Sequence, residues 1–164
     1  MNRWIQTILL VLALPWVSVA AADDNKDWRK DGTLEEKMAH IIKTLPSTAN
    51  IMIEIGKRYQ DLYWAAKLGK WEFAQYQVEE IEGLLEVLQI TRPGRAESTK
   101  VFLDKGLTGF EAAFKSKDWN TFLRAFQNMH AQCMSCHIVN DHAFIVLPLE
   151  PATSSSLILN LPQK

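Results

Sequence analysis

Cys133, Cys136 and His137 follow one another in the spacing Cys-x-x-Cys-His, which is a pattern able to do chemistry. This spacing is typical of the covalent attachment of a c-type haem. The two thiols add across the two vinyl groups of the porphyrin, and the histidine beside the second thiol coordinates the iron. The chain has no other cysteine, so the motif uses every thiol in the sequence. The pattern predicts one covalently bound haem c, with His137 as an iron ligand.

The cysteine pair has two alternative roles that the sequence leaves open. A disulfide or a thioredoxin-like redox pair would usually follow a strand in an α/β pattern, and the sequence shows no such pattern. A zinc site would need four ligands from the two cysteines and scattered histidines. Because Cys136 and His137 are adjacent, a closed tetrahedron of ligands would be difficult to build.

Residues 1–22 predict a secretory signal peptide. Arg3 precedes an apolar run at residues 8–14, and small residues end the segment, so that cleavage is expected after Ala20 or Ala22. The apolar run is short for a membrane span, although an uncleaved anchor is an alternative. We therefore expect a periplasmic protein with no stable membrane span after cleavage. Covalent haem attachment in bacteria is expected in the same compartment.

The composition is that of one globular domain. About 140 residues would remain after cleavage, enough for a single core. The formal charge of −1 would become −2 when Arg3 is removed, which gives no sign of a nucleic-acid partner.

Residues 23–46 are expected to form an N-terminal segment with one short helix. Residues 23–32 are polar and are predicted to be a loose terminus. Thr33 and Glu36 have the spacing of a capping box, and the helix that they begin should end before Pro46.

Residues 47–148 are predicted to be an all-α haem-binding domain, an antiparallel four-helix bundle with the haem at the C-terminal end of its last helix. Apolar residues recur at intervals of three and four throughout this range. The expected helices run from an N-cap at Ser47 to about residue 68, over about 71–90, over about 97–115, and from an N-cap at Asp118 to the haem motif.

Two further features of this domain lead to expectations. Gly106 and Gly109 lower the helix propensity of the third helix, and they either allow close packing against a flat group such as a porphyrin or are tolerated on an exposed face. Residues 142–148 are β-branched and aromatic and end in proline, which suggests an extended segment over an apolar surface. Residues 149–164 are expected to form a flexible tail.

A helical chain with Cys-x-x-Cys-His at the end of its fourth helix resembles the cytochrome c′ class, including members in which a methionine ligates the iron. It also resembles a group of exported bacterial monohaem proteins through Trp71, Ala74 and Tyr76, and through the segment 144–146. The resemblance covers about residues 51–148. It implies a periplasmic monohaem cytochrome that exchanges single electrons with redox partner proteins, without enzymatic activity, and it raises the prospect of a homodimer. The five-coordinate members imply the alternative, a protein that binds nitric oxide or carbon monoxide.

Met52 is the candidate for the second axial ligand. In an up-down-up-down bundle the fourth helix ends where the first begins, so Met52 would lie beside the haem motif. A thioether opposite histidine raises the reduction potential and suits electron transfer. The alternative is that Met52 fills the core. Tyr59 could line the same side of the pocket or serve as an ordinary core residue.

Other side chains are weaker candidates. Lys43, Lys57 and Arg58 are candidate partners of the haem propionates, with solvated surface charge as the alternative. His142 could cover a haem edge, although a surface loop is the alternative. A peroxidase-like activity would need a distal His/Arg pair at helical spacing, and the sequence offers none.

Overall fold

The computed structural model describes residues 27–152. The predicted signal peptide and residues 153–164 of the predicted tail lie outside this range. Helices make up 78% of the described residues and no strand occurs among them, which confirms the all-helical class. Between residues 27 and 152, no helix is both long enough and apolar enough to cross a bilayer.

The first of two compact units, residues 1–43, contains helix α1 (Trp28–Asp31) and most of helix α2 (Leu34–Thr44). The predicted capping box is confirmed, because the Thr33 amide donates to Glu36 Oε2 at 2.8 Å and the Glu36 amide donates to Thr33 Oγ1 at 3.2 Å. Helix α1 lies in the stretch that was predicted to be loose, so that prediction is wrong for these four residues. Asp27 caps α1 by accepting the Arg29 amide hydrogen, which is a signal that the sequence contained.

The second unit, residues 44–164, contains the remaining described helices. Ser47 and Asp118 are N-caps as predicted, since their side chains accept amide hydrogens from Asn50 and Thr121 at 3.1 and 2.8 Å. The helices are α3 (Thr48–Lys67), α4 (Trp71–Thr91), a 3₁₀ turn (Pro93–Arg95), α5 (Ala96–Gly106), α6 (Phe110–Ser116) and α7 (Trp119–Val139).

The prediction of one continuous third helix is wrong, because the chain breaks between α5 and α6. Gly109 has φ = +92°, in the left-handed region that favours glycine. Asn128 of α7 donates from its side chain to the Lys105 carbonyl at 2.7 Å and to Thr108 Oγ1 at 3.1 Å. The Asn128 side chain therefore binds the Lys105 carbonyl, which in a continuing helix would accept a backbone amide hydrogen.

The two glycines of this region allow contacts within the protein. A Cβ atom on Gly106 would lie 2.8 Å from the Phe102 ring, and one on Gly109 would lie 3.2 Å from the Cβ of Ala125. Their closest neighbours are therefore protein side chains, which accounts for these glycines without a flat cofactor.

The core lies among helices that contact one another in a ring. Helix α3 packs against α4 and α7, α4 packs against α5 and α6, and α5 and α6 both pack against α7. Aromatic rings fill the centre, where Phe122 stacks on Phe126 at 5.7 Å between ring centroids and meets Phe110 edge-on at 5.7 Å. Each such ring stabilises the fold by about 1.5–3 kcal/mol through burial. These contacts join α6 to the first half of α7.

After α7 the chain turns back along the helices as a segment that we call the C-terminal strap, residues 142–151. Its backbone is fixed to α3, because Tyr59 Oη donates to the Pro148 carbonyl at 2.9 Å and Trp64 Nε1 donates to the Pro151 carbonyl at 2.8 Å. The side chains of Phe144 and Val146 are 79% and 70% exposed. Ile145 and Leu147, between and after them, line a pocket with apolar walls, so the expected packing on an apolar surface holds for these two residues. Hydrogen bonds to the backbone carbonyls of the strap help to hold it against α3.

The strap includes the first residues of the predicted flexible tail. Within residues 149–152, Glu150 forms an ion pair with Lys67 at 2.7 Å, and Pro151 is buried. The prediction for residues 153–164 lies outside the described residues.

Candidate haem site

All four residues that the sequence singled out for haem binding line one pocket. Met52, near the start of α3, and Cys133, Cys136 and His137, in the last two turns of α7, share a pocket of about 140 Å³ that is partly open to solvent. Six apolar side chains contribute to its walls: Ile55, Leu85, Leu88, Phe102, Ile145 and Leu147. Apolar walls with a few polar groups suit a largely apolar ligand.

The ring of His137 is oriented by the strap. Its Nδ1 lies 2.9 Å from the Ile145 carbonyl oxygen. A carbonyl can only accept, so Nδ1 carries the proton and Nε2 of the neutral ring keeps its lone pair. A histidine held in this way by a backbone carbonyl has the tautomer of a metal ligand. The sequence predicted that some group must hold His137 but could not identify it.

Cys133 is partly buried, and this shielding from water changes the chemistry of its thiol. Burial, and to a smaller degree the neighbouring Cys136, raises the pKa of the Cys133 thiol to about 12. The raised pKa makes the thiolate, which disulfide exchange and zinc binding both require, harder to form than in an ordinary cysteine. A thioether carries no charge and is well suited to the same buried position.

The alternative roles of the cysteine pair gain no support from the geometry. The two cysteines are not bridged to each other. In the part of the chain that the structure describes, no three His, Cys, Asp or Glu residues come together as a metal site would require. The iron of a haem, by contrast, needs only one such side chain as a ligand, because the porphyrin supplies the others. His137 can serve as that ligand.

A polar cluster lies beside the second cysteine. Asn140 donates through Nδ2 to the Cys136 carbonyl at 2.7 Å and to Ser98 Oγ at 2.8 Å. Arg95 donates from Nη1 to Asn140 Oδ1 at 2.6 Å and to its carbonyl at 3.2 Å. Arg95, Ser98 and Asn140 all line the pocket. Sequence reasoning missed all three, and no local pattern marks them.

Tyr59 is both a buried core residue and part of the pocket lining. It is only 2% exposed and lies with its ring centroid 4.6 Å from that of Phe126. Burial raises the pKa of Tyr59 well above its ordinary value, and the nearby Cys133 raises it further. Its hydroxyl hydrogen is already donated to the strap.

The structure does not bring every predicted residue to this site. Lys57 and Arg58 are absent from the pocket lining, and each has an acidic partner elsewhere: Lys57 pairs with Asp61 at 2.7 Å, and Arg58 pairs with Glu54 at 2.9 Å. The geometry therefore gives Lys57 and Arg58 no support as propionate partners. Lys43 belongs to the first unit, whereas the residues that line the pocket belong to the second.

The remaining histidines and methionines have distinct places. His142 lines the pocket, whereas His130 binds the Leu147 carbonyl of the strap through Nε2 at 3.0 Å. His40 stacks on Trp28 in the first unit. Met129 is buried in the core and is not part of the lining, so among the described methionines it is Met52 that lines the pocket.

Fold and site together define an all-helical protein with a pocket that presents two thiols and an oriented histidine. These residues fit a c-type haem, because the attachment pair, the lone pair of His137 and the apolar walls all meet in one cavity. Comparison with models of protein families, with curated proteins and with solved structures finds no match to this chain.

Proposed function

We propose that this protein is a periplasmic monohaem c-type cytochrome that transfers single electrons. The observation that carries the proposal is the hydrogen bond from His137 Nδ1 to the Ile145 carbonyl, which leaves Nε2 available as an iron ligand in the pocket that also holds both cysteines. Cys133 and Cys136 would attach the haem as thioethers. Periplasmic redox proteins would be its partners, and a homodimer is compatible with this role.

We further propose the architecture of an antiparallel four-helix bundle with the haem at the C-terminal end of α7. Helices α5 and α6 together would take the place of the third helix. The closed ring of contacts among the helices supports this, as do the short connections between α3 and α4 and between α6 and α7.

Met52 is proposed as the second axial ligand. When bound, the haem supplies a reversible one-electron couple, and a methionine thioether opposite histidine raises its potential. The residues of the chain orient and insulate it. The strap fixes the ring of His137, the apolar walls keep water away, and the start of α3 carries Met52 into the lining.

The optical spectrum of the exported holoprotein tests this proposal. We expect a low-spin spectrum that does not respond readily to carbon monoxide in the reduced state. Met52→Ala should turn the spectrum high-spin and make it responsive to carbon monoxide. Met38→Ala is the matched control, because Met38 is half exposed and lies in the first unit. A wild-type protein without covalent haem would refute the proposal.

A gas-binding protein is the second candidate, and space beside Met52 favours it. Gly56 lines the pocket one turn after Met52, and a Cβ atom added there would meet nothing within 4 Å. A diatomic molecule could use this space if Met52 were only a wall residue. Wild-type holoprotein that is already high-spin and binds carbon monoxide would decide for this candidate.

A further inference from the structure

Arg95 brings a positive charge into a pocket that shows no negative one among the described residues. It is the only Lys or Arg in the described lining, and no Asp or Glu lies there. Among residues 27–152, no carboxylate forms an ion pair with Arg95. A partly buried charge without a counter-ion is costly, so the pocket favours a ligand that carries an anionic group.

Two other partly buried arginines of the same unit have their charge or their donors satisfied. Arg58 pairs with Glu54 at 2.9 Å and with Glu80 at 3.3 Å. Arg92 donates to the backbone carbonyls of Leu45, Pro46 and Thr91 and takes no part in the described lining. Within residues 27–152, the Arg95 guanidinium donates from Nη1 to Asn140 alone, which leaves most of its five N–H donors for another partner.

The position of Arg95 is fixed relative to the attachment motif. Asn140 accepts from Arg95 through Oδ1 and donates through Nδ2 to the carbonyl of Cys136, so one amide side chain joins the guanidinium to the turn that carries the second cysteine. The buried Thr99 donates from Oγ1 to the Arg95 carbonyl at 2.7 Å, which fixes the backbone as well. A cation held by two elements is suited to a ligand with a fixed position.

We propose that Arg95 anchors a carboxylate of the haem, one of its propionates, through charge-assisted hydrogen bonds. This inference rests on the proposed function, because it assigns the anionic group to the haem of that proposal. Arg95 is therefore a positioning residue, and Asn140 keeps its guanidinium directed at the site.

The test compares two porphyrins that differ only in the carboxylates. Full-length protein with Cys133→Ala and Cys136→Ala cannot form thioethers, so ferric protoporphyrin and its dimethyl ester bind reversibly and are titrated by absorbance. We call this double variant the parent. We expect it to bind protoporphyrin, which has free carboxylates, roughly tenfold or more tightly than the dimethyl ester, which is the effect of one charge-assisted hydrogen bond. Arg95→Gln should reduce the preference to within about threefold, whereas Arg92→Gln should retain it.

The ratio of the two affinities separates anchoring from a structural role. A loss of packing at Arg95 would weaken both porphyrins equally and leave the ratio unchanged, and that result would overturn the inference. Arg95→Lys keeps the charge and should restore part of the preference, so it serves as the second variant if Arg95→Gln does not fold. If the parent bound neither porphyrin, that result would also overturn the proposal that Arg95 anchors a propionate. The spectrum of exported wild-type protein reports separately on the proposed function, because covalent haem there would leave that function standing.

Discussion

The buried thiol of Cys133 makes the stability of the haem-free protein depend on alkaline pH. Burial raises the pKa of this thiol from 9.0 to about 12 in the folded chain. Below about pH 9 the thiol is protonated in the folded and in the unfolded state, so its ionisation has no effect on stability. Above that pH the unfolded chain loses the proton first, which favours unfolding until the folded thiol also ionises near pH 12.

The size of this effect follows from the difference between the two pKa values. Each pH unit between them lowers the free energy of unfolding by about 1.4 kcal/mol. Relative to neutral pH, the contribution of Cys133 is a loss of about 1.4 kcal/mol at pH 10 and about 2.7 kcal/mol at pH 11. Tyr59 also has a raised pKa; burial, the larger cause of that shift, is present in both proteins of the comparison, so most of the Tyr59 contribution cancels.

Urea unfolding of haem-free wild type and Cys133→Ala between pH 8 and pH 11 measures the contribution. Cys133→Ala costs some packing at every pH, so only the change in the difference between the two proteins is informative. We expect wild type to lose stability relative to the variant by the amounts above as the pH rises. A difference that stays constant over this range would show that the thiol is solvated, and it would refute the inference that burial raises the pKa of Cys133.

Two further substitutions test the strap and the break between α5 and α6. Tyr59→Phe removes the hydrogen bond to the strap and should lower the free energy of unfolding by about 1 kcal/mol in urea titrations, whereas the half-exposed Tyr76→Phe should change it by less than about 0.5 kcal/mol. Equal effects of the two would contradict the role of the bond. Gly109→Ala should cost about 1–2 kcal/mol because alanine is strained at φ = +92°, whereas Gly83→Ala, in open space within α4, should stabilise by about 0.5–1 kcal/mol in thermal unfolding.

Signals that lie within one helix were readable from the sequence. Ser47 and Asp118 mark helix starts because the N-cap interaction joins residues three positions apart. The glycines before α6 were a weak signal of the break, but the sequence could not show its other cause. Asn128 of another helix binds carbonyl and hydroxyl groups about 20 residues earlier in the chain. Helix propensity carries no information about such a distant partner.

The same distinction applies to the site. Cys133, Cys136 and His137 were predicted because haem attachment fixes their spacing, and Met52 was placed by bundle topology. The group that holds His137 could not be predicted, because it is the Ile145 carbonyl, a group that every residue has. Arg95 was missed since its partner Asn140 lies 45 residues further along the chain.

The C-terminal strap is held through its backbone carbonyl oxygens, which every amino acid has. Side chains of α3 and α7 reach its backbone oxygens at four points. Of the strap's own side chains, those that line the pocket, such as Ile145 and Leu147, and the buried Pro151 are constrained, whereas the exposed ones are not. Substitutions at exposed positions such as Phe144 and Val146 should therefore be tolerated broadly. Loss or gain of one residue would shift every acceptor after it and take Tyr59 and Trp64 out of reach of theirs. The exposed positions of the strap can change freely during evolution, but its length is fixed by the helices that it spans.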